Sequence, residues 1–253
     1  MHSLQEAGFI KAKLNPFNLS TKAQLDLEMI HQNFDTLPKD PYAPNDCNRF
    51  RAYSNLIIIP WERKIHWIPP VHVNGNFLSG YWQGKFNPEH KDAIRYFTPL
   101  LSETRNTLFL KNLIMHDFDL TFWNSSTTLP IYVGIHFVKL LVSDKNQIAF
   151  SSPDLLHRDG EAFTFAHLFK RFNVKGGTNY ISKPEYANKK INEVDPNNIL
   201  DKFEMYDQLD TYGVCDQLVS HYVSPVAIDD GSKKYGSREI ILIDFSNVQQ
   251  KLN

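Results

Sequence analysis

The chain has 253 residues, of which 42% are hydrophobic and 22% charged, and it carries 18 Phe, 11 Tyr and 4 Trp. This length and composition fit one globular domain with a substantial core, and the many aromatic residues favour strands. The net charge of -1 argues against the basic surface field of proteins that bind nucleic acids or anionic membranes, so we expect neither partner.

The cysteine content and the start of the chain predict a cellular location. Only two cysteines, Cys47 and Cys215, occur, and they form no CxxC motif. A disulfide framework or structural zinc site is therefore not expected, and a reducing cytoplasmic setting fits best. The first residues lack the pattern of a signal peptide, and no apolar run is long enough to span a membrane. The sequence does not indicate the oligomeric state.

Helices are predicted mainly in the first half of the chain, where apolar residues recur at helical spacing. A Ser or Thr cap precedes the first of them, and an Asn-Pro pair typical of a helix start precedes the second. The predicted helices are 20–34, 87–97 and 103–115, and two strands are predicted at 56–59 and 64–68.

From residue 118 onward the pattern changes to short strands separated by turn signals. The predicted strands are 120–122, 131–142, 162–169, 178–181, 211–214, 218–223 and 238–245. The polar segment 184–204 is expected to form either a short helix or a flap. We therefore predict a mainly β fold with N-terminal helices (α+β), built as a sandwich or jelly roll. It should be a single domain over 1–253, in which 1–115 includes the helical support and 116–246 is the main β core.

The stretch 150–160 contains a candidate metal-binding pair at the end of a predicted strand. His157 and Asp159 are two residues apart, so their side chains point to the same face of a strand and could hold one ion. Two histidines and one carboxylate are the ligand set of many non-haem Fe(II) sites. Without further support, a surface histidine and a turn aspartate before Gly160 would be the simpler interpretation.

Two residues further along the chain extend this hypothesis. His221 ends a predicted strand 62 positions after Asp159 and is the candidate third ligand, although alone it could be a histidine in a polar loop. Arg238 opens an apolar strand, where a guanidinium is costly unless it meets an anion such as a carboxylate. 2-Oxoglutarate could supply that carboxylate, because it chelates iron through its keto-acid end and presents a second carboxylate several ångströms away. The alternative is that Arg238 pairs with Glu239.

Taken together, these motifs resemble the bacterial Fe(II)/2-oxoglutarate-dependent dioxygenases that hydroxylate free L-amino acids. The resemblance runs from about residue 45 to residue 246. It is carried by RFRAYS at 49–54, YWQ at 81–83, FSSP at 150–153, HRD at 157–159, FAHL at 165–168, GGTNYI at 176–181, His221 and REIIL at 238–242. HxD alone is a weak signal, whereas the whole set is specific.

The resemblance implies a double-stranded β-helix in which His157, Asp159 and His221 are the iron ligands and catalytic residues. It implies that Arg238 binds the far carboxylate of 2-oxoglutarate, and that Fe(II), 2-oxoglutarate and O2 are required. The implied reaction couples decarboxylation of 2-oxoglutarate to succinate with hydroxylation of a small free L-amino acid or derivative. The alternatives are a dioxygenase acting on a peptide or protein side chain, and a jelly-roll binding or sensor protein without turnover.

Four further residues are candidates for binding the substrate: Arg49, Arg51, Tyr53 and His136. Scaffold ion pairing is an equal alternative for the two arginines, and a core role is an equal alternative for His136. His167 is expected to be a packed sheet residue. The chain departs from the family in His136-Phe137-Val138-Lys139, where a His-Gln-x-Arg strand is expected, and in the length of the loop between Gly177 and His221. We expect both departures to reshape the substrate pocket.

Overall fold

The computed structural model describes residues 4–14, 20–44, 47–83, 93–123, 129–151 and 153–247. The helices are α1 (Leu4–Ala7), α2 (Thr21–Asp35), α3 (Ser102–Asn106) and α4 (Leu108–Leu120). The strands are β1 (Phe9–Lys13), β2 (Arg49–Ile59), β3 (Lys64–Trp67), β4 (Val71–Val73), β5 (Asn76–Trp82), β6 (Ile94–Phe97), β7 (Ile131–Val142), β8 (Ile148–Ala149), β9 (Phe163–Phe172), β10 (Val174–Gly176), β11 (Asn179–Ser182), β12 (Ile199–Phe203), β13 (Asp210–Cys215), β14 (Ser220–Val223), β15 (Val226–Ile228) and β16 (Gly236–Asn247).

Seven strands form the main sheet, in the order β1-β13-β9-β16-β7-β2-β3. All neighbouring pairs are antiparallel, and β7 pairs with β16 along its whole length, from Ile131 opposite Asn247 to Val142 opposite Gly236. Both strands are rich in Ile, Val and Leu, which suit a pleated, buried surface. The described residues also form three smaller sheets, β10-β15-β8, β12-β11-β14 and β4-β5-β6.

The main sheet has two buried faces because successive side chains of a strand point in opposite directions. On the helix face, Phe137 stacks on Phe34 of α2 with ring centroids 4.7 Å apart, within a large cluster that also includes α4. On the inner face, residues such as Leu140 and Ile240 pack against the small sheets β10-β15-β8 and β12-β11-β14. Two sheet layers with helices outside are the arrangement that the sequence predicts.

Most predicted elements are confirmed, and the exceptions have local causes. Residues 94–97, predicted as the end of a helix, form β6, and the rest of that prediction lies largely outside the described residues. The helix predicted at 103–115 is two helices, because the Thr107 side chain accepts the N–H of Leu110 and starts α4 anew. The strand predicted at 120–122 is wrong, since α4 continues to Leu120 on its buried apolar face.

The N-terminal half supplies strands as well as helices. β1, β2 and β3 belong to the main sheet, and β4, β5 and β6 form a small sheet of their own. Within the described ranges, no helix combines the length and apolar character needed to cross a membrane. The inner face of the main sheet and the two small sheets opposite it enclose the residues considered next.

Candidate active site

Two histidines meet at an isolated antiparallel bridge. His157 and His221 exchange both backbone hydrogen bonds, with N···O distances of 2.9 and 3.0 Å, and their ring centroids lie 4.3 Å apart. Directly opposed residues of a ladder have side chains on the same face. Asp159 Oδ1 lies 3.4 Å from His157 Nε2, and Oδ2 lies 3.2 Å from His221 Nε2. The ligand atoms of these three residues, called the triad below, all lie within 4.8 Å of one another.

The hydrogen bonding of the histidines leaves nitrogen atoms available for a metal. His157 Nδ1 lies 2.9 Å from the carbonyl oxygen of Leu155. A carbonyl only accepts, so Nδ1 donates and Nε2 keeps its lone pair. Neither ring nitrogen of His221 has a hydrogen-bond partner among the described residues, so its contact with Asp159 lacks hydrogen-bond alignment. Unpartnered buried polar atoms are costly, and a cation bound by the triad would remove this cost.

Asp216 holds the turn that carries Asp159. Its two carboxylate oxygens accept the backbone N–H groups of Asp159 and Gly160, at 2.9 and 2.8 Å. Gly160 has a φ of 89°, a conformation that favours glycine, which accounts for the glycine directly after the triad carboxylate. Thr164 Oγ1 on β9 donates to Asp159 Oδ2 at 3.1 Å. The carboxylate is therefore fixed through both its backbone and its side chain.

Replacing Asp216 with alanine should weaken both the fold and the metal site. Two N–H groups lose their acceptor, which should lower the free energy of unfolding by about 2–4 kcal/mol. Loss of support behind the candidate ligand Asp159 should raise the Kd for Fe(II) by ~10–100-fold. Denaturant unfolding and equilibrium dialysis with Fe(II) measure the two effects. Asp216→Asn keeps one acceptor oxygen and should fall in between, while the exposed Asp229→Ala serves as the control. Unchanged Fe(II) affinity in Asp216→Ala would contradict this role.

The triad is electrostatically suited to a cation. Burial alone would raise the pKa of Asp159, but the charges and contacts of His221 and His157 outweigh it and hold that pKa well below its ordinary value. Burial alone would lower the pKa of His221, but Asp159 raises it. The ionised carboxylate thus favours positive charge on the neighbouring ring. A divalent cation would supply that charge in place of the proton, so metal binding should release a proton.

The 184–204 segment supports the chain where the triad begins. It forms three one-turn 3-10 helices (Pro184–Tyr186, Ile191–Glu193 and Pro196–Asn198) and the whole of β12, in place of a single short helix or flap. Leu156 donates its N–H to the Lys189 carbonyl at 2.9 Å and accepts the N–H of Asn188 at 2.7 Å. Its side chain is buried with Val194 and Tyr222. Because Leu156 directly precedes His157, this packing fixes the backbone at the first histidine.

Arg238 is a buried cation without a carboxylate partner. It is 2% exposed, its Nε has no hydrogen-bond partner, and no described carboxylate forms an ion pair with it. Glu239, the alternative partner, points to the helix face, where it pairs with Lys139 at 3.3 Å. Burial lowers the pKa of Arg238 to about 10, so the guanidinium stays charged at neutral pH. A Cβ on Gly177 would lie 3.1 Å from Arg238 Cδ and Nε, so this glycine makes room for the side chain.

Tyr212 is buried on the inner face of β13. Burial raises its pKa to about 12, and it lies within range of the charges of both Arg238 and Asp159. A ligand that binds both Arg238 and a metal held by the triad must carry an anionic group for the guanidinium.

A cavity of about 80 Å³ adjoins Asp159 on the inner face of the main sheet. Its walls combine three arginines and three carboxylates with smaller polar and apolar groups. It is lined by Arg49, Arg51, Tyr81, Gln83, Arg95, His136, Val138, Ser151, Asp159, Glu161, Thr164, Leu242 and Asp244. A larger cavity of about 450 Å³ shares Arg51 with it but contains no residue of the triad.

Arg51, His136 and Asp244 form a buried chain along one wall. Arg51 Nη2 lies 2.6 Å from His136 Nδ1, and His136 Nε2 lies 2.9 Å from Asp244 Oδ2. Burial and the charges of Arg51 and Arg95 lower the pKa of His136 well below its ordinary value. A guanidinium only donates, so neutral His136 accepts at Nδ1 and donates from Nε2 to Asp244. Both ring nitrogens are thereby occupied.

The predicted substrate residues divide between the cavity wall and its support. Arg49 pairs through Nε with Asp40 at 2.7 Å, as expected for the alternative in which this arginine forms an ion pair of the scaffold. Arg49 also lines the cavity. Tyr53 is fully buried beside His136, with ring centroids 4.4 Å apart, and is not among the lining residues. His167 hydrogen-bonds Asp117 and Thr211 on the helix face, both at 2.7 Å, as expected of a packed residue.

The expectation that the 136–139 departure reshapes the pocket is wrong for two of its positions. Phe137 packs into the helix-face core, and Lys139 contacts Asp35 and Glu239 there. Alternation along β7 leaves only His136 and Val138 on the cavity side.

Several residues of the site lie outside the sequence prediction. Asp216 and Tyr212 lie on or beside β13, Arg95 on β6, Asp244 near the end of β16, and Glu161 two residues after Asp159. Only Glu161 and Asp244 carried a local signal, because a charged residue within or beside a predicted apolar strand needs a partner.

The comparisons with known proteins agree with this geometry. The sequence profile of a family described as 2OG-Fe dioxygenase matches residues 31–244. The chain belongs to the 2OG-Fe dioxygenase family. Family membership makes the protein an enzyme whose reaction requires Fe(II), 2-oxoglutarate and O2.

Two curated relatives of this dioxygenase span most of its length. The 3(1)-hydroxy-L-isoleucine 4-dioxygenase of Pantoea ananatis (strain AJ13355) is 30% identical over 89% of this chain and 83% of its own. The L-isoleucine-4-hydroxylase of Bacillus thuringiensis is 26% identical over 99% of this chain and 95% of its own. The crystal structure of IDO from Bacillus thuringiensis superposes with a TM-score of 0.72 at 20% identity, covering 97% of this dioxygenase and 92% of IDO. The predicted mainly β, jelly-roll class is confirmed.

Proposed function

We propose that this dioxygenase hydroxylates a small free L-amino acid, with His157, Asp159 and His221 as its iron ligands. The observation that carries the proposal is a triad of ligand atoms beside a cavity in which two arginines, Arg51 and Arg95, have no described carboxylate partner. Two nitrogens and one oxygen match the donor set that Fe(II) accepts in non-haem oxygenases, with positions left open for other ligands. The unpartnered ring nitrogens of His221 support the fit of a metal to these residues.

Fe(II) with 2-oxoglutarate and O2 supplies the oxidising chemistry, which yields succinate, CO2 and a hydroxylated product. The protein contributes binding and orientation. Asp216 and Thr164 hold Asp159 in place, and the Leu155 carbonyl orients His157. Arg238 binds the far carboxylate of 2-oxoglutarate, because it is a buried cation that forms an ion pair with no described carboxylate. The apolar walls around Ile240 exclude water from this region.

The amino acid binds in the cavity beside Asp159. Arg51 and Arg95 both lie over the faces of Tyr81 and Phe97, with guanidinium carbons 4.5–5.8 Å from the ring centroids. No described carboxylate forms an ion pair with either arginine, although Arg95 is buried and Arg51 is largely covered. Two such cations side by side favour an anion, and the carboxylate of an amino acid meets that need. His136 orients Arg51 in this arrangement.

The two named relatives act on isoleucine and hydroxyisoleucine, which supports a free amino acid as the substrate. Membership of the 2OG-Fe dioxygenase family argues against the alternative of a jelly-roll sensor without turnover. We also propose one domain over 1–253 and a cytoplasmic setting, in agreement with the buried free cysteines Cys47 and Cys215.

A direct screen tests the proposal. The protein is loaded anaerobically with Fe(II), exposed to O2 and 2-oxoglutarate, and supplied with each of the twenty L-amino acids. At least one amino acid should stimulate succinate formation by ~10-fold or more and yield a product heavier by one oxygen atom, since substrate binding completes the site. Short peptides with the same side chains serve as the comparison. Stimulation by peptides alone would favour the peptide rival, and no stimulation by any compound would contradict the proposed substrate class.

A further inference from the structure

Glu161 is a buried carboxylate that the proposed chemistry leaves without a task. It is 4% exposed and lines the cavity beside Asp159. Its Oε1 accepts the Tyr81 hydroxyl at 2.8 Å, whereas its Oε2 has no hydrogen-bond partner among the described residues. An unpaired oxygen of this kind is costly unless a ligand supplies a donor.

The cations of the cavity do not supply that donor. Arg51 Nη2 is directed to His136, and Arg95 Nη2 donates to Gln83 Oε1 at 2.5 Å. No described residue forms an ion pair with Glu161, Arg51 or Arg95. The cavity thus holds two guanidinium groups and a carboxyl group that do not pair with one another. A ligand that satisfies both must carry an anionic group for the guanidinium groups and a hydrogen-bond donor for Glu161 Oε2, at separate places on a small framework.

Tyr81 contacts both polar parts of the wall. Its ring lies under the guanidinium carbons of Arg51 and Arg95, at 5.5 and 4.8 Å, while its hydroxyl holds Glu161. The guanidinium groups and the Glu161 carboxyl therefore share one aromatic neighbour. An α-amino acid places its carboxylate and ammonium on a single carbon, which suits partners grouped around one side chain.

We propose that Glu161 binds the α-ammonium group of the substrate through Oε2, while Arg51 and Arg95 bind its carboxylate. Glu161 is thereby the residue that selects a free amine over an N-acylated or peptide-linked one. This inference rests on the proposed function, because it concerns the same cavity and the same substrate class. It further predicts that the amine, and not only the side chain, decides whether a compound is accepted.

The test compares substrates that differ only at the amine. The probes are L-isoleucine, or the amino acid with the highest turnover in the screen, together with its 2-hydroxy acid and its N-acetyl derivative. For the wild-type holoenzyme, the KM of the 2-hydroxy acid should exceed that of the amino acid by ~30-fold, about 2 kcal/mol. In Glu161→Gln, the KM of the amino acid should rise by ~30-fold while that of the 2-hydroxy acid stays within ~3-fold.

Controls separate recognition from structure. Glu28→Gln, on the exposed side of α2, should leave every KM unchanged. Tyr81→Phe removes the hydroxyl that positions Glu161 and should raise only the KM of the amino acid, by ~5-fold. The melting temperature of Glu161→Gln shows whether this variant folds. If it does not fold, Tyr81→Phe tests the role of Glu161 in its place. A second readout without turnover is the ligand-induced rise in melting temperature of the anaerobic enzyme loaded with Fe(II) and 2-oxoglutarate.

The outcomes distinguish the two proposals. In Glu161→Gln, an equal rise in KM for the amino acid and the 2-hydroxy acid, or no rise for either, would overturn the role of Glu161. Either result would leave the proposed function intact. A wild-type enzyme that binds Fe(II) and 2-oxoglutarate but responds to no free amino acid would overturn both. Full acceptance of the N-acetyl derivative by the wild type would also overturn selection by Glu161.

Discussion

Replacing His157 with alanine should abolish turnover and nearly abolish binding of Fe(II). The ring nitrogen Nε2 of His157 is oriented by the Leu155 carbonyl and faces Asp159 at 3.4 Å. Even a residue that only supports a metal ligand contributes ~10–100-fold to affinity, so loss of a ligand should raise the Kd for Fe(II) by at least ~100-fold. We expect kcat to fall by ~1,000-fold or more, which corresponds to about 4 kcal/mol of activation free energy.

The measurement is equilibrium dialysis with Fe(II), followed by succinate formation under saturating iron. His66→Ala is the matched control, because His66 is exposed on β3 and should leave both quantities unchanged. Removal of iron from the wild-type enzyme with a chelator should abolish turnover, and added Fe(II) should restore it. Retention of wild-type iron affinity in a folded His157→Ala protein would remove His157 from the ligand set.

The parts of the fold that the sequence could predict are those with strong periodicity. The long run 131–142 forms β7 with the predicted bounds, and Phe163, Phe165 and Phe169 share the helix face as their alternation requires. β1 and β4 were not predicted, because they are short and partly exposed and their stability comes from pairing partners elsewhere in the chain. The local pattern near 94–97 suggested a helix, and pairing with β5 overrode it.

The candidate site shows the same division between local and long-range information. His157 and Asp159 are two residues apart, so the motif could be seen in the sequence, and a distant histidine of suitable context completed it. Asp216 and Tyr212 could not be predicted in this way. Their positions beside the triad arise from the antiparallel pairing of β13 with β9, and no local pattern encodes that proximity. The sequence therefore indicates the candidate metal ligands, and the pairing of distant strands determines which further side chains lie beside them.

Arg238 is the second residue whose replacement should have a large effect, and the effect should fall on 2-oxoglutarate. Its guanidinium is buried, remains charged at neutral pH and has no described carboxylate partner. Hydrogen bonds to charged groups contribute about 1.5–3 kcal/mol. Arg238→Met, which keeps the length of the side chain but removes the charge, should raise the KM for 2-oxoglutarate by ~100-fold. The affinity for Fe(II) should change by less than ~3-fold.

A co-substrate without the far carboxylate separates charge recognition from structural damage. 2-Oxopentanoate has the keto-acid end of 2-oxoglutarate and a methyl group in place of the second carboxylate. The wild-type enzyme should prefer 2-oxoglutarate by ~100-fold in kcat/KM, and Arg238→Met should lose most of this preference while using 2-oxopentanoate as before. The exposed Arg63→Met, whose guanidinium pairs with Asp119, is the control. If Arg238→Met lowers kcat/KM equally for both co-substrates, Arg238 only supports the sheet. The effect would then not depend on the second carboxylate, which 2-oxopentanoate lacks.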